Sequence, residues 1–125
     1  MNEDKLISLA IEKNQRARYR ELLANNKKRY WLLGKLNHSP PLDPKYTKWF
    51  SSFTKAIQSI DVPPSTEVYI LSSATEIDGK HMSFKEAIDE VLSYGWGAII
   101  GISSSLAVYY GEEGERGAII KGSQR

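Results

Sequence analysis

The feature that most limits what this chain can become is a change of pattern at Pro63-Pro64. Before it, apolar residues recur at steps of three and four, the period of a helix; after it, they gather in short runs divided by glycine, serine and acidic residues. The charges divide at the same place. Residues 1–64 carry 12 Lys and Arg against 6 Asp and Glu, whereas residues 65–125 carry 5 against 9. A basic helical half (1–62) and an acidic, sheet-forming half (66–125) within 125 residues predict one domain of the α+β class, long enough to bury a core without staples.

Local signals place the elements. Asn2 followed by Glu3 and Asp4 is a helix start, since a side-chain oxygen can cap the first turn and acids suit the positive end of the dipole. Leu6, Leu9 and Ala10 share one helical face; Tyr19, Leu22, Leu23, Tyr30 and Leu33 share another, pointing to nearly the opposite side. That phase change predicts a bend or break near Asn14-Gln15, or a long helix meeting different neighbours at its two ends. One helix or two across residues 3–34 stays open, with Gly34 as the stop. After the loop Asn37–Leu42, Asp43-Pro44 reads as a cap and first-turn proline. The stripe Tyr46, Trp49, Phe50, Phe53, Ala56, Ile57 and Ile60 then predicts a second helix ending at Pro63.

Beyond the prolines, Glu67–Leu71 has strand chemistry and Asp78-Gly79 marks a turn. Ser83 and Glu86 form a capping box for a third helix, beside Met82, with Phe84, Ala87, Ile88, Val91 and Leu92 on its buried face and Gly95 at its end. Ala98–Ile102, Leu106–Tyr110 and Ala118–Ile120 read as an antiparallel meander. The order is ααβαβββ, and a parallel pairing of the first two strands across the third helix is allowed by its length.

Composition excludes some chemistry. With no cysteine there is no disulfide, thiolate nucleophile or Cys-ligated metal. No apolar run reaches the length of a signal or membrane-spanning segment, which points to a cytoplasmic protein without a membrane partner. Two histidines, His38 and His81, stand far apart in sequence without partners at ligand spacing, so no metal site is expected. Gly95-Trp96-Gly97 with Gly101 leaves a helix and enters a strand, the reverse of a dinucleotide-binding turn. Ser103-Ser104-Ser105 lacks the glycine of a nucleophile elbow. No cofactor is expected, and the reading leans away from an enzyme; a pocket with Asp78, Glu86 or Tyr110 at its rim is the enzymatic or small-ligand alternative.

What remains is a candidate binding face. Lys13, Arg16, Arg20, Lys27, Lys28 and Lys35 fall on about a third of the circumference if residues 13–35 form one helix. Trp31 lies within that arc. Together with Arg29, these cations would hold phosphates or carboxylates while Trp31, with Tyr30, stacks or anchors. The expected function is therefore non-enzymatic binding of an acidic partner, nucleic acid or protein. The alternative is a protein–protein module, of inhibitor, immunity or assembly type, that self-associates. Its interface would include Trp96, Tyr109, Tyr110 and the loop acids Glu112, Glu113 and Glu115. Tyr109 and Tyr110 are adjacent on a strand, so one should be exposed if the other is in the core.

Overall fold

The computed structural model describes residues 1–122. Its centre is a six-stranded, wholly antiparallel sheet of β1 (Thr47–Phe50), β2 (Glu67–Ser72), β3 (His81–Ser83), β4 (Ala98–Ser103), β5 (Leu106–Tyr110) and β6 (Gly117–Lys121). The spatial order is β1-β6-β5-β4-β2-β3. Helices α1 (Glu3–Ala10), α2 (Arg16–Leu23) and α3 (Asn26–Leu33) precede the sheet, α4 (Phe53–Gln58) follows β1, and α5 (Phe84–Tyr94) joins β3 to β4. This is the expected α+β class, in a single domain. No helix among the described residues is long and apolar enough to cross a membrane.

Both faces of the sheet are covered. Tyr69, Leu71, Ile99, Ala107, Tyr109, Ala118 and Ile120 pack against α1, α2, α3 and the turn after them. Their strand neighbours Val68, Ile70, Ala98, Ile100, Val108, Tyr110 and Ile119 pack against α4 and α5. Successive strand side chains point to opposite faces, so burial on both sides requires unbroken apolar runs, and these are the runs that the sequence shows. Tyr109 and Tyr110 are consequently both buried, and the expectation that one would be exposed fails.

The N-terminal segment breaks twice. Asn2 caps α1 by accepting from the Lys5 N–H. The chain then leaves the helix at Ile11, passes a 3-10 turn at Lys13–Gln15 and starts α2, which is the break expected near Asn14. A second break at Ala24-Asn25 divides the remainder, and Asn25 caps α3 by accepting from Lys27 and Lys28. Three short helices can each turn an apolar side toward one face of the sheet; a single rod with two opposed stripes cannot.

The region Asp43–Ile60 is not one helix. Thr47–Phe50 is an edge strand paired with β6, and Ser52 caps the short α4 by accepting from Lys55. The steps of three and four from Tyr46 to Phe53 imitate a helix, but pairing with an open sheet edge outweighs that local preference. Pro63-Pro64 is therefore no structural seam, because the basic half contributes both a strand and a helix to the sheet layers. The first two expected strands, β2 and β4, pair antiparallel rather than parallel. The Asp78-Gly79 turn returns the chain as β3, so α5 crosses from β3 to β4 over β2. Ser83 and Glu86 form the capping box, and Gly95 ends α5 at φ 74°.

Asn37 fastens the helical layer to the sheet. Its side-chain oxygen accepts from Gly97 N at 2.6 Å and from the Ser73 hydroxyl at 2.9 Å. Tyr109 donates its hydroxyl to the Leu36 carbonyl. The backbone of Leu36 and Asn37 lies so close to Gly97 that a β-carbon there would overlap it. Gly97→Ala is expected to cost on the order of 3 kcal/mol in urea unfolding, whereas Gly34→Ala should be neutral or stabilising by up to about 1 kcal/mol. Gly34 has a helical backbone and nothing within 4 Å of its would-be β-carbon.

Burial also makes the fold alkali-sensitive. It pushes the Tyr19 and Tyr109 phenols up to about 12, and raises Tyr69 and Tyr110 as well. Above the ordinary tyrosine value of about 10, the unfolded chain binds fewer protons than the folded one. Stability is therefore intact below that pH and lost as pH rises toward 12. Urea midpoints should fall between pH 10 and 12 in step with tyrosinate absorbance, and less steeply in Tyr19→Phe.

Candidate interaction surface

The expected basic stripe separates into two kinds of residue. Arg16 donates to the Ile11 carbonyl at 2.9 Å and reaches Asp43 at 3.4 Å. Arg20 donates to Asp4 and to the Ser8 hydroxyl, each at 2.6 Å. Arg29 is the most committed. Its guanidinium holds Glu3 at 2.6 Å and Asp78 at 2.7 Å, joining α1, α3 and the turn after β2. The same two carboxylates accept from Tyr69 Oη and Ser72 N. Burial opposes the charge on Arg29, but the hydrogen bonds to Glu3 and Asp78 outweigh it and raise its pKa above the ordinary arginine value. All three arginines bind acids of the chain itself, Arg16 and Arg29 in partly buried contacts and Arg20 in a surface pair with Asp4.

The lysines behave differently. Lys13 is exposed in the 3-10 turn before α2, while Lys27, Lys28 and Lys35 are exposed on or just beyond α3. None of them forms an ion pair among the described residues. Helix α3 buries Leu32 and Leu33 and sends Arg29 inward, so Lys27, Tyr30 and Trp31 come to its outer side. Tyr30 is 53% and Trp31 56% exposed, and Lys35 Nζ sits 4.5 Å from the Trp31 ring centroid. Two large half-exposed rings among unpaired lysines on two turns of helix form the surviving patch.

A second group lies at the sheet end where β4 and β6 begin and β5 ends. Trp96 is 47% exposed between Gly95, whose carbonyl accepts from Glu113 N, and Gly97, which is held by Asn37. Trp49, at the end of β1, is exposed under the Arg116 guanidinium, 4.2 Å from its centroid. Arg116 also donates to the His38 carbonyl, and His38 Nε2 lies 2.7 Å from Glu112 Oε2. Glu113 and Glu115 are exposed, and Glu113 has a left-handed backbone at φ 56°. Trp96 and the three loop acids thus share one end of the sheet, as the interface reading grouped them. Tyr109 and Tyr110 do not reach the surface. The former packs edge-on beneath Trp49 and the latter against Phe53.

The grouping of Trp49, Arg116 and His38 has no counterpart in the local sequence pattern. Trp49 falls on the helical stripe of the sequence, and only its pairing beside Ala118 brings it near Arg116. The residues considered for a catalytic rim do not converge. Asp78 is bound by Arg29, Glu86 caps α5, and Tyr110 is buried under α4.

No protein-family model, curated protein or solved structure matches the chain.

The division among the cations is testable by stability. Arg29→Ala leaves Glu3 and Asp78 facing each other without a cation and is expected to cost about 3–5 kcal/mol in chemical denaturation. Lys27→Ala and Lys28→Ala should leave the unfolding midpoint unchanged.

Proposed function

We propose that this is a non-enzymatic binding protein whose outer α3 face docks on an acidic protein surface. The observation that carries the reading is the composition of that face: Tyr30 and Trp31 half exposed among Lys27, Lys28 and Lys35, lysines that form no ion pair among the described residues. Aromatic side chains ringed by charge are the usual anchors of protein interfaces, where the ring supplies most of the affinity and the charges steer and orient.

A protein partner suits this face better than a nucleic acid. With Arg16, Arg20 and Arg29 paired to carboxylates, and Lys13 and Arg18 standing apart on the turn before α2 and on α2, the unpaired cations beside Trp31 are three lysines on or just beyond α3, a helix about 12 Å long at 1.5 Å per residue. Three lysines that each neutralise one phosphate would give a salt slope of only about −3 on duplex DNA, too shallow for tight non-specific binding at physiological ionic strength. A protein surface can offer a cleft for Trp31 and carboxylates for the lysines together. The acidic loop Glu112–Glu115 makes a second copy of this chain one such surface.

The test is affinity capture at low salt with wild-type bait, Trp31→Ala bait and the Lys27→Glu/Lys28→Glu double variant, with and without nuclease. An acidic protein retained by wild type, indifferent to nuclease and lost at least tenfold in both variants is expected. Bound nucleic acid released by nuclease, or retention unaffected by either variant, would overturn the reading. Sedimentation at low and high salt identifies the self-association case, in which Glu113→Lys should weaken the oligomer as much as Lys28→Glu.

A further inference from the structure

Between α2 and α3 lies a cleft of about 180 Å³ whose polar side chains can all donate hydrogen bonds and whose charged ones are both cations. Arg18 and Lys35 stand at it with Gln15 and Ser39, while Leu32 and Pro41 complete the wall. Among the described residues no Asp or Glu lines it, and neither Arg18 nor Lys35 has an acidic partner. Tyr19 also forms part of this wall. It is 3% exposed, and its hydroxyl has no hydrogen-bond partner, the one such buried side-chain atom among the described residues. Buried hydroxyls are nearly always paired, because a donor removed from water without a new acceptor is costly, so this one calls for an explanation.

We propose that the cleft is an oxyanion site, taking one phosphate or carboxylate group between Arg18 and Lys35 with the Tyr19 hydroxyl as an additional donor. Each element contributes for a chemical reason. Guanidinium and ammonium supply the charge, and the guanidinium can present two parallel N–H groups to a pair of oxygens. Gln15 and Ser39 can each add a neutral donor, while the two positive charges disfavour a cation. The Tyr19 phenol gains the acceptor that it lacks inside the protein. Burial raises that phenol and the Arg18 charge partly offsets the rise, as a guanidinium within electrostatic reach of it must. Lys35 is shared with the α3 face, but Arg18 and Tyr19 belong to the cleft alone, so Arg18→Gln and Tyr19→Phe separate this assignment from the α3 partner.

The site can be tested by titrating the ¹⁵N-labelled full chain with sodium phosphate and, separately, sodium acetate, at constant ionic strength. Saturable shifts confined to amides around Gln15–Tyr19, Lys35 and Ser39 are expected, with millimolar affinity. Arg18→Gln and Lys35→Gln should each weaken binding about tenfold. Tyr19→Phe is the decisive variant, because it removes a hydroxyl with no partner and should fold at least as stably as wild type while binding the anion several-fold more weakly. Response to phosphate alone assigns the site to a tetrahedral oxyanion; response to both ions assigns it to carboxylates as well. Shifts that never saturate, or affinity unchanged in all three variants, would overturn the proposal. In that event Tyr19 is satisfied by an ordered water and the two cations are ordinary surface charges.

Discussion

Burial of the sheet on both faces is the constraint from which the rest of this molecule follows. A strand covered on two sides has no solvent-facing position, so its sequence becomes a continuous apolar run and its tyrosines go inward with their neighbours. Tyr109 and Tyr110 illustrate the consequence, one packed toward the N-terminal helices and the other against Phe53. Two helical layers are then obligatory. Among the described residues the C-terminal half supplies one α-helix, α5, so α1, α2 and α3 are needed for the opposite face and α4 for the open flank beside β1.

Fastening those layers consumes much of the polar chemistry in the chain. Arg29 with Glu3, Asp78 and Tyr69 joins two helices to the β2–β3 turn, and Asn37 with Gly97 and Ser73 joins the end of the helical layer to β4. Such pairs are half-buried, where removal of one member leaves a charge or donor without compensation. The cost of unpairing gives these groups a structural role. What is free for recognition is the remainder: lysines and aromatic rings on α3, donors in the α2–α3 cleft, and tryptophans and glutamates at the sheet end.

Much of the fold was legible beforehand because it depends on neighbours in sequence. The caps at Asn2 and Ser83, the αL stop at Gly95, the break near Asn14 and the three C-terminal strands are all decided within a few residues. Asp43–Ile60 is ambiguous in the sequence because an apolar step of three or four satisfies a helix as well as it does an edge strand followed by a short helix. The choice is made by β6, some 70 residues away along the chain. The candidate site was legible as composition, a basic tract containing Trp31, but not as geometry.

The sequence alone determined which segments turn apolar sides inward, where helices begin and end, and that positive charge accumulates before Pro63. Tertiary structure decided which of those charges face outward. Arg29 and Lys28 are neighbours with the same sign, and one helical step of about 100° separates an internal ion-pair network from open solvent. Which side of that step meets Glu3 and Asp78 depends on contacts 26 and 49 residues distant in the chain. Long-range complementarity of this kind has no local signature, so only the folded chain distinguishes a cation that holds the protein together from one that can hold a partner.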